Sequence, residues 1–266
     1  MKLALPDYLL PCFERERVAK VAEWRCQGLE LTYSPISRGE HLLLHKEGPE
    51  RWREMAARFG VQLASLSIQS LAWSGQFTRL EDMQRFLRTE VPPLLDWAVA
   101  AGVAHVHLPI YDPPELKPIE SETFWLQALA PVIEHAQTRV MPLALETFWP
   151  AEACRHFLRK INSPMTKISY DVGNAQAARR DLVADLNLLE PEIIQIRLKE
   201  RQTREPYASV PIGSGNMDWA KVGCWVKERT SDPWLILAVT QYSTHELNLL
   251  NQIRLVQSWQ TSPHAA

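Results

Sequence analysis

Between residues 193 and 198 the chain reads IIQIRL: Ile194, Ile196 and Leu198 alternate with Gln195 and Arg197, and Lys199 continues the polar series. A period of two marks a β-strand, here with one apolar face and one face carrying an amide and two cations. Seven other short runs have strand character: LAL (3–5), GLELTY (28–33), LASLSI (63–68), VAHVHL (103–108), PLALET (142–147), KISYD (167–171) and WLILAV (234–239). Stretches of helical period lie between them, among them RERVAKVAEWRCQ, PERWREMAARFG, EDMQRFLRTEVPPLLDWAVAAG, ESETFWLQALAPVIEHAQ, AEACRHFLRKI, ARRDLVADLNLLE and MDWAKVGCWVKER. Most are closed by polar residues, Pro or Gly. Eight strands alternating with helices in 266 residues predict an α/β protein built as a single (β/α)8 TIM barrel rather than an open sheet. No Pro/Gly/Ser-rich linker or low-complexity run breaks the alternation, so residues 1–266 are read as one domain.

In such a barrel one strand parity points into the lumen, and the residues at the C-terminal strand ends form the floor of the active site. With the apolar residues turned outward, the lumen receives Glu30, Thr32, His105, His107, Glu146, Ser169, Asp171, Gln195, Arg197 and Lys199. Carboxylates and cations buried together must pair, so Arg197 is expected to contact Glu146 or Asp171. A purely structural ion pair beneath an ordinary pocket is the plainer alternative.

Composition narrows the function classes. A hydrophobic fraction of 46% with 23% charged residues describes a globular chain that can bury a large core. A net charge of −2 supplies no field to attract nucleic acid or an anionic membrane surface. Cys12, Cys26, Cys154 and Cys224 have no CxxC spacing and are read as reduced, structural residues. Pro6 and Asp7 interrupt the N-terminal apolar run before it reaches signal-peptide length, and no segment approaches a membrane span, so a cytoplasmic location is expected.

LALET (143–147), SYDVGNA (169–175), IRLKER (196–201) and VPIGSGNMDW (210–219), in this order, resemble the sugar-phosphate isomerase/epimerase superfamily of xylose-isomerase-like TIM barrels. The pair Tyr111-Asp112 after the fourth strand is similar to that of L-ribulose-5-phosphate 3-epimerases and hexulose-6-phosphate isomerases. The resemblance implies a divalent cation held by Glu, Asp, His and Glu on strands 5 to 8, with the two glutamates shuttling the substrate proton. Glu146 and Asp171 match the first two positions; Arg197 and Ala238 replace the other two. Arginine does not lose its proton at working pH and alanine offers no ligand or base, so no metal is expected, and any that did bind would be a divalent cation such as manganese, zinc or magnesium. Arg197 would then stand where the metal stood, neutralising Glu146 and Asp171.

These three residues are the catalytic candidates, and His107, Asn174, Lys199, Glu200 and Ser214 are the substrate-binding ones. His107, beside Glu146, either binds a substrate hydroxyl or joins an irregular metal site. Asn174 is either a substrate contact or a helix N-cap. The loop Gly213-Ser214-Gly215-Asn216, opening a helix at Met217, is placed where many barrels hold phosphate, with Lys199, Arg201 and Arg204 nearby. Three functions remain open: a sugar or sugar-phosphate isomerase or epimerase, a non-catalytic relative that binds a sugar-like ligand and regulates, and a metal-dependent endonuclease. The last needs a multi-zinc cluster and a basic surface, neither of which the sequence displays. The expected partner is a small sugar or sugar phosphate, with no nucleic acid and no membrane; the oligomeric state, a homo-oligomer included, is left open.

Overall fold

Each of the eight runs forms a strand in a computed structural model, which describes residues 1–10, 14–34, 48–72, 77, 79–113, 116–202, 209–229, 231–239 and 246–261. The barrel strands are β1 (Lys2–Pro6), β2 (Gly28–Tyr33), β3 (Gln62–Ile68), β4 (His105–Pro109), β5 (Leu143–Glu146), β6 (Thr166–Asp171), β7 (Ile193–Leu198) and β10 (Trp234–Leu237). They close in the order β1-β10-β7-β6-β5-β4-β3-β2, and every pairing within the barrel is parallel. This is the expected (β/α)8 barrel, with strands buried on both faces because helices cover the outside.

The lumen is graded. At its N-terminal end Ala4, Ala64, Trp234 and Ile236 form a separate apolar cluster. A Cβ on Gly28 would lie 2.6 Å from the Trp234 ring, so the smallest residue opens β2 to let that ring plug the barrel floor. Above the plug the lumen turns polar. His105 Nε2 bonds Gln195 Oε1, and Gln195 Nε2 donates to Ser169 Oγ at 3.1 Å. Burial lowers the His105 pKa to about 4 against its hydrogen bond to Gln195, which raises it, and so leaves the imidazole neutral.

The helices are α1 (Glu14–Glu23), α2 (Gly48–Phe59), α3 (Leu80–Thr89), α4 (Val91–Ala101), α5 (Pro118–Arg139), α6 (Ala151–Ile161), α7 (Val172–Ala177), α8 (Leu182–Leu189), α9 (Trp219–Glu228) and α10 (Glu246–Thr261). The stretch 81–102 is two helices, because Pro92 and Pro93 lack the N–H that a helix interior needs but fit the first turn of α4. The helix expected from Met217 begins at Trp219 instead, capped by the Asp218 side chain, which accepts from the Lys221 amide at 3.1 Å. A two-stranded antiparallel sheet, β8 (Glu200–Arg201) with β9 (Ser209–Val210), follows β7 and had no counterpart in the sequence reading. Arg204 and Cys12 lie outside the described residues. Cys26 and Cys154 are buried free thiols, each pushed up to about 12 by burial and so chemically quiet. Among the described residues no helix is long and apolar enough to cross a membrane.

Candidate active site

Arg197 reaches across the lumen from β7 to β2. Its Nη1 donates to both oxygens of Glu30, at 2.9 and 2.8 Å, and its Nε lies 3.3 Å from Glu146 Oε2. Glu30 also accepts from Ser65 Oγ at 2.7 Å. The contact with Glu146 is the one expected, and Glu30 is a closer partner that the sequence did not single out. Asp171 is the register neighbour of Arg197 on β6, yet the guanidinium extends across the barrel rather than along its wall. Burial alone would strip charge from Arg197, but Glu30 and Glu146 more than offset it and raise its pKa further.

Glu146, at the C-terminal end of β5, is crowded with donors. His107 Nε2 lies 2.9 Å from Oε2, Asn174 Nδ2 donates to Oε1 at 2.9 Å, and the Tyr111 hydroxyl donates to Oε1 as well. Ser67 Oγ accepts from Gln69 Nε2 at 2.9 Å and lies 2.7 Å from His107 Nδ1. Glu146 as a carboxylate can only accept, so the His107 ring carries a hydrogen on Nε2, facing it. Burial pushes the Glu146 pKa up, but the His107 hydrogen bond and the charges of Arg197 and Lys199 win and hold it well below the usual carboxylate range.

Asp171, at the end of β6, has a different environment. Its Oδ1 caps α7 by accepting the Asn174 amide at 2.8 Å. Among the described residues nothing donates a hydrogen bond to its buried Oδ2, and Lys199 Nζ lies 3.8 Å from it. Burial raises its pKa, with Lys199 opposing and Glu146 reinforcing the shift. Lys199 reaches this position because Gly173 has no side chain: a Cβ there would sit 3.0 Å from both the Lys199 carbonyl oxygen and its Cβ. Asn174 is not the N-cap, a place that Asp171 takes; it lies inside α7, and its side chain bridges Glu146 to Arg201 Nη2, which donates to Oδ1 at 2.9 Å.

Glu200 and Ser214 do not join this cluster. Glu200 is fully buried and accepts from the Gly213 amide at 2.6 Å, the Met217 amide at 2.9 Å and Trp219 Nε1 at 3.0 Å. It is a clamp inside the loop 211–217, so two of the amides a phosphate would need are already taken. Ser214 is exposed, and its amide donates to the Pro211 carbonyl at 3.0 Å. Glu30, Ser67, Tyr111 and Arg201 enter the site without having been singled out for it in the sequence. Tyr8 stands close by: burial raises its hydroxyl pKa, with Arg197 opposing and Glu30 reinforcing. Asp112 accepts from Ser121 Oγ, Trp125 Nε1 and Trp149 Nε1 at 2.5, 2.9 and 2.9 Å.

The residues present do not fit the cation that the resemblance implies. A guanidinium bonded to Glu30 stands on β7 beside Glu146, and Ala238, just past β10 and in the inward series of Trp234 and Ile236, contributes only a methyl group. Among the described residues no three His, Cys, Asp or Glu side chains gather as a metal-binding group.

The barrel has many structural counterparts. A D-tagatose 3-epimerase-like protein superposes with a TM-score of 0.78 at 16% identity, covering 98% of this chain and 97% of that one. The apo form of 3-keto-D-glucoside 4-epimerase, YcjR, from E. coli gives 0.76 at 12% identity, covering 98% and 100%. The IOLI protein with a binding zinc atom gives 0.75 at 14% identity, covering 98% and 96%. At such identities the likeness is one of fold. No curated protein matches the sequence significantly. The family model for the xylose isomerase-like TIM barrel matches residues 18–259, and the chain belongs to that family.

Proposed function

We propose that this chain is a sugar or sugar-phosphate isomerase or epimerase that works without the divalent cation of its relatives. The observation that carries the reading is the Arg197 guanidinium held between Glu30 and Glu146 at the active-site end of the barrel, a fixed positive charge where the family would place a metal. Around it His107, Tyr111, Asp171, Asn174 and Lys199 supply hydrogen-bond donors, a carboxylate and a second cation, the groups that recognise hydroxyls and a carbonyl. Epimerases among the structural counterparts support the reaction class. A metal-free enzyme of this kind moves a proton on the carbon next to the ketose carbonyl, using only its own acids, bases and cations.

A second reading is favoured by the crowding of Glu146. A carboxylate with three donors and a guanidinium around it is a poor proton acceptor, as expected of a relative that binds a sugar-like ligand without turning it over. Incubating the protein in D2O with a panel of ketoses and ketose phosphates, with chelator or with manganese, separates the two. Loss of the α-hydrogen NMR signal in the presence of chelator supports the enzyme; binding with no exchange under either condition supports the non-catalytic relative.

A further inference from the structure

The two carboxylates at the mouth are not equivalent, and their difference points away from the one that the family resemblance makes the base. Both oxygens of Glu146 are engaged, Oε1 by Tyr111 and Asn174 and Oε2 by His107 and Arg197. Asp171 is fixed through one oxygen only. Its Oδ1 is held by the α7 amide, and its Oδ2, though buried, has no hydrogen-bond donor among the described residues. A buried carboxylate oxygen without a donor costs free energy, which makes it the atom in the site most in need of a proton or an electrophile. Over it lies the Lys199 ammonium at 3.8 Å, beyond hydrogen-bond range, on a side chain that keeps 20% of its surface exposed and can be lifted aside by a ligand.

Resting on the isomerase reading, we infer that Asp171 is the proton-transferring base and that Lys199 stabilises the anion it creates. The substrate carbonyl oxygen enters beneath Lys199. Asp171 Oδ2 takes the hydrogen from the neighbouring carbon; that C–H bond breaks, an O–H bond forms on Asp171, and the electron pair moves onto the carbonyl oxygen as an enediolate. The Lys199 ammonium meets the developing charge, while the Arg197 guanidinium offsets Glu30 and Glu146 beneath it. Returning that proton to the former carbonyl carbon, while the hydroxyl hydrogen on the deprotonated carbon passes by way of Lys199 to the enediolate oxygen, completes an isomerisation; in an epimerisation water on the opposite face protonates the original carbon and Asp171 gives its proton to the hydroxide so formed. No metal, redox partner or co-reactant enters the balance. Glu146 becomes a positioning residue that keeps His107, Tyr111 and Asn174 in place.

An epoxide the size of a triose tests this without requiring turnover. In ester formation the Oδ2 lone pair opens the ring, a C–O ester bond replaces the C–O bond of the epoxide, and the released alkoxide takes a proton from Lys199 or water. Folded protein is incubated with glycidol and, separately, with glycidol phosphate, then mapped by peptide mass spectrometry. The expected adduct is on Asp171, in the wild type and in Glu146→Gln, and the reagent that labels faster shows whether the ligand is phosphorylated. An adduct on Glu146 with Asp171 unmodified, or on neither, overturns the inference. In the D2O exchange assay Asp171→Asn is expected to lower the rate at least about a hundredfold. Failure of the isomerase reading itself has a separate signature: wild-type protein that takes the label at Asp171 but exchanges no α-hydrogen from any ketose.

Discussion

Arg197 and Glu30 lie 167 residues apart in sequence and meet across the barrel lumen, with one guanidinium nitrogen within 2.9 Å of both carboxylate oxygens. Neither group sees bulk water: Arg197 is 3% exposed and Glu30 is 0% exposed. Each ion is acceptable there only because of the other. Arg197→Ala is therefore expected to cost about 3–5 kcal/mol in denaturant unfolding, because Glu30 and Glu146 are left as buried anions facing each other. Glu30→Gln in the same background should restore part of the loss, since contacting residues couple. A loss below about 1 kcal/mol would show the guanidinium to be solvated.

Acid should destabilise the fold before the carboxylates titrate. His105 is neutral when folded, with a pKa of about 4 against 6.5 for a free imidazole, so between these values the unfolded chain binds the extra proton. Its contribution is complete above 6.5 and is lost as pH falls toward 4, amounting to about 3 kcal/mol. The raised carboxyl of Asp171 has the opposite sense, favouring the folded state at low pH and disfavouring it as pH rises through its folded value. Urea melts of the wild type and His105→Gln between pH 7 and 4.5 isolate the histidine: the wild type should lose stability faster as pH falls. Parallel slopes would contradict the assignment.

The loop at 211–217 should depend on a single carboxylate. Glu200 accepts three N–H donors from Gly213, Met217 and Trp219, whereas glutamine offers one acceptor and brings an amide N–H2 toward donors. Glu200→Gln is expected to destabilise the protein by about 2 kcal/mol and to speed amide exchange at Gly213 and Met217. Unchanged protection at both amides would show that the clamp is not what orders the loop. Gly215→Ala should disturb the same contact, because its Cβ would fall 2.6 Å from Glu200 Oε1.

The barrel was legible because each strand carries its own alternation, a local property. IIQIRL and GLELTY coincide with β7 and β2, and the other six runs fall within two residues of their strands at either end. The contents of the lumen were legible for the same reason. What parity does not encode is distance across the barrel. Arg197 could be placed inside, but its choice of Glu30 over the register neighbour Asp171 depends on which wall a long side chain reaches. Glu200 illustrates the second limit: an acidic residue at the mouth reads as a substrate contact, and only the path of the following loop turns it into a clamp. The dipeptide Tyr111-Asp112 gives no sign of which partner reaches inward: the Tyr111 hydroxyl bonds Glu146, while Asp112 holds Ser121.

Calorimetric titration with manganese tests most directly whether Arg197 and Ala238 have replaced a metal site. Two carboxylates beside a permanent cation repel a divalent ion, so the wild type should show no stoichiometric binding at Glu146 and Asp171. The double substitution Arg197→His and Ala238→Glu removes the competing charge and adds an imidazole and a carboxylate at neighbouring strand ends. It should bind about one equivalent and melt at a higher temperature when manganese is present, whereas neither single change should do so well. Stoichiometric binding by the wild type, abolished by Glu146→Gln, would contradict the account, as would a well-folded double variant that binds manganese no better than the wild type.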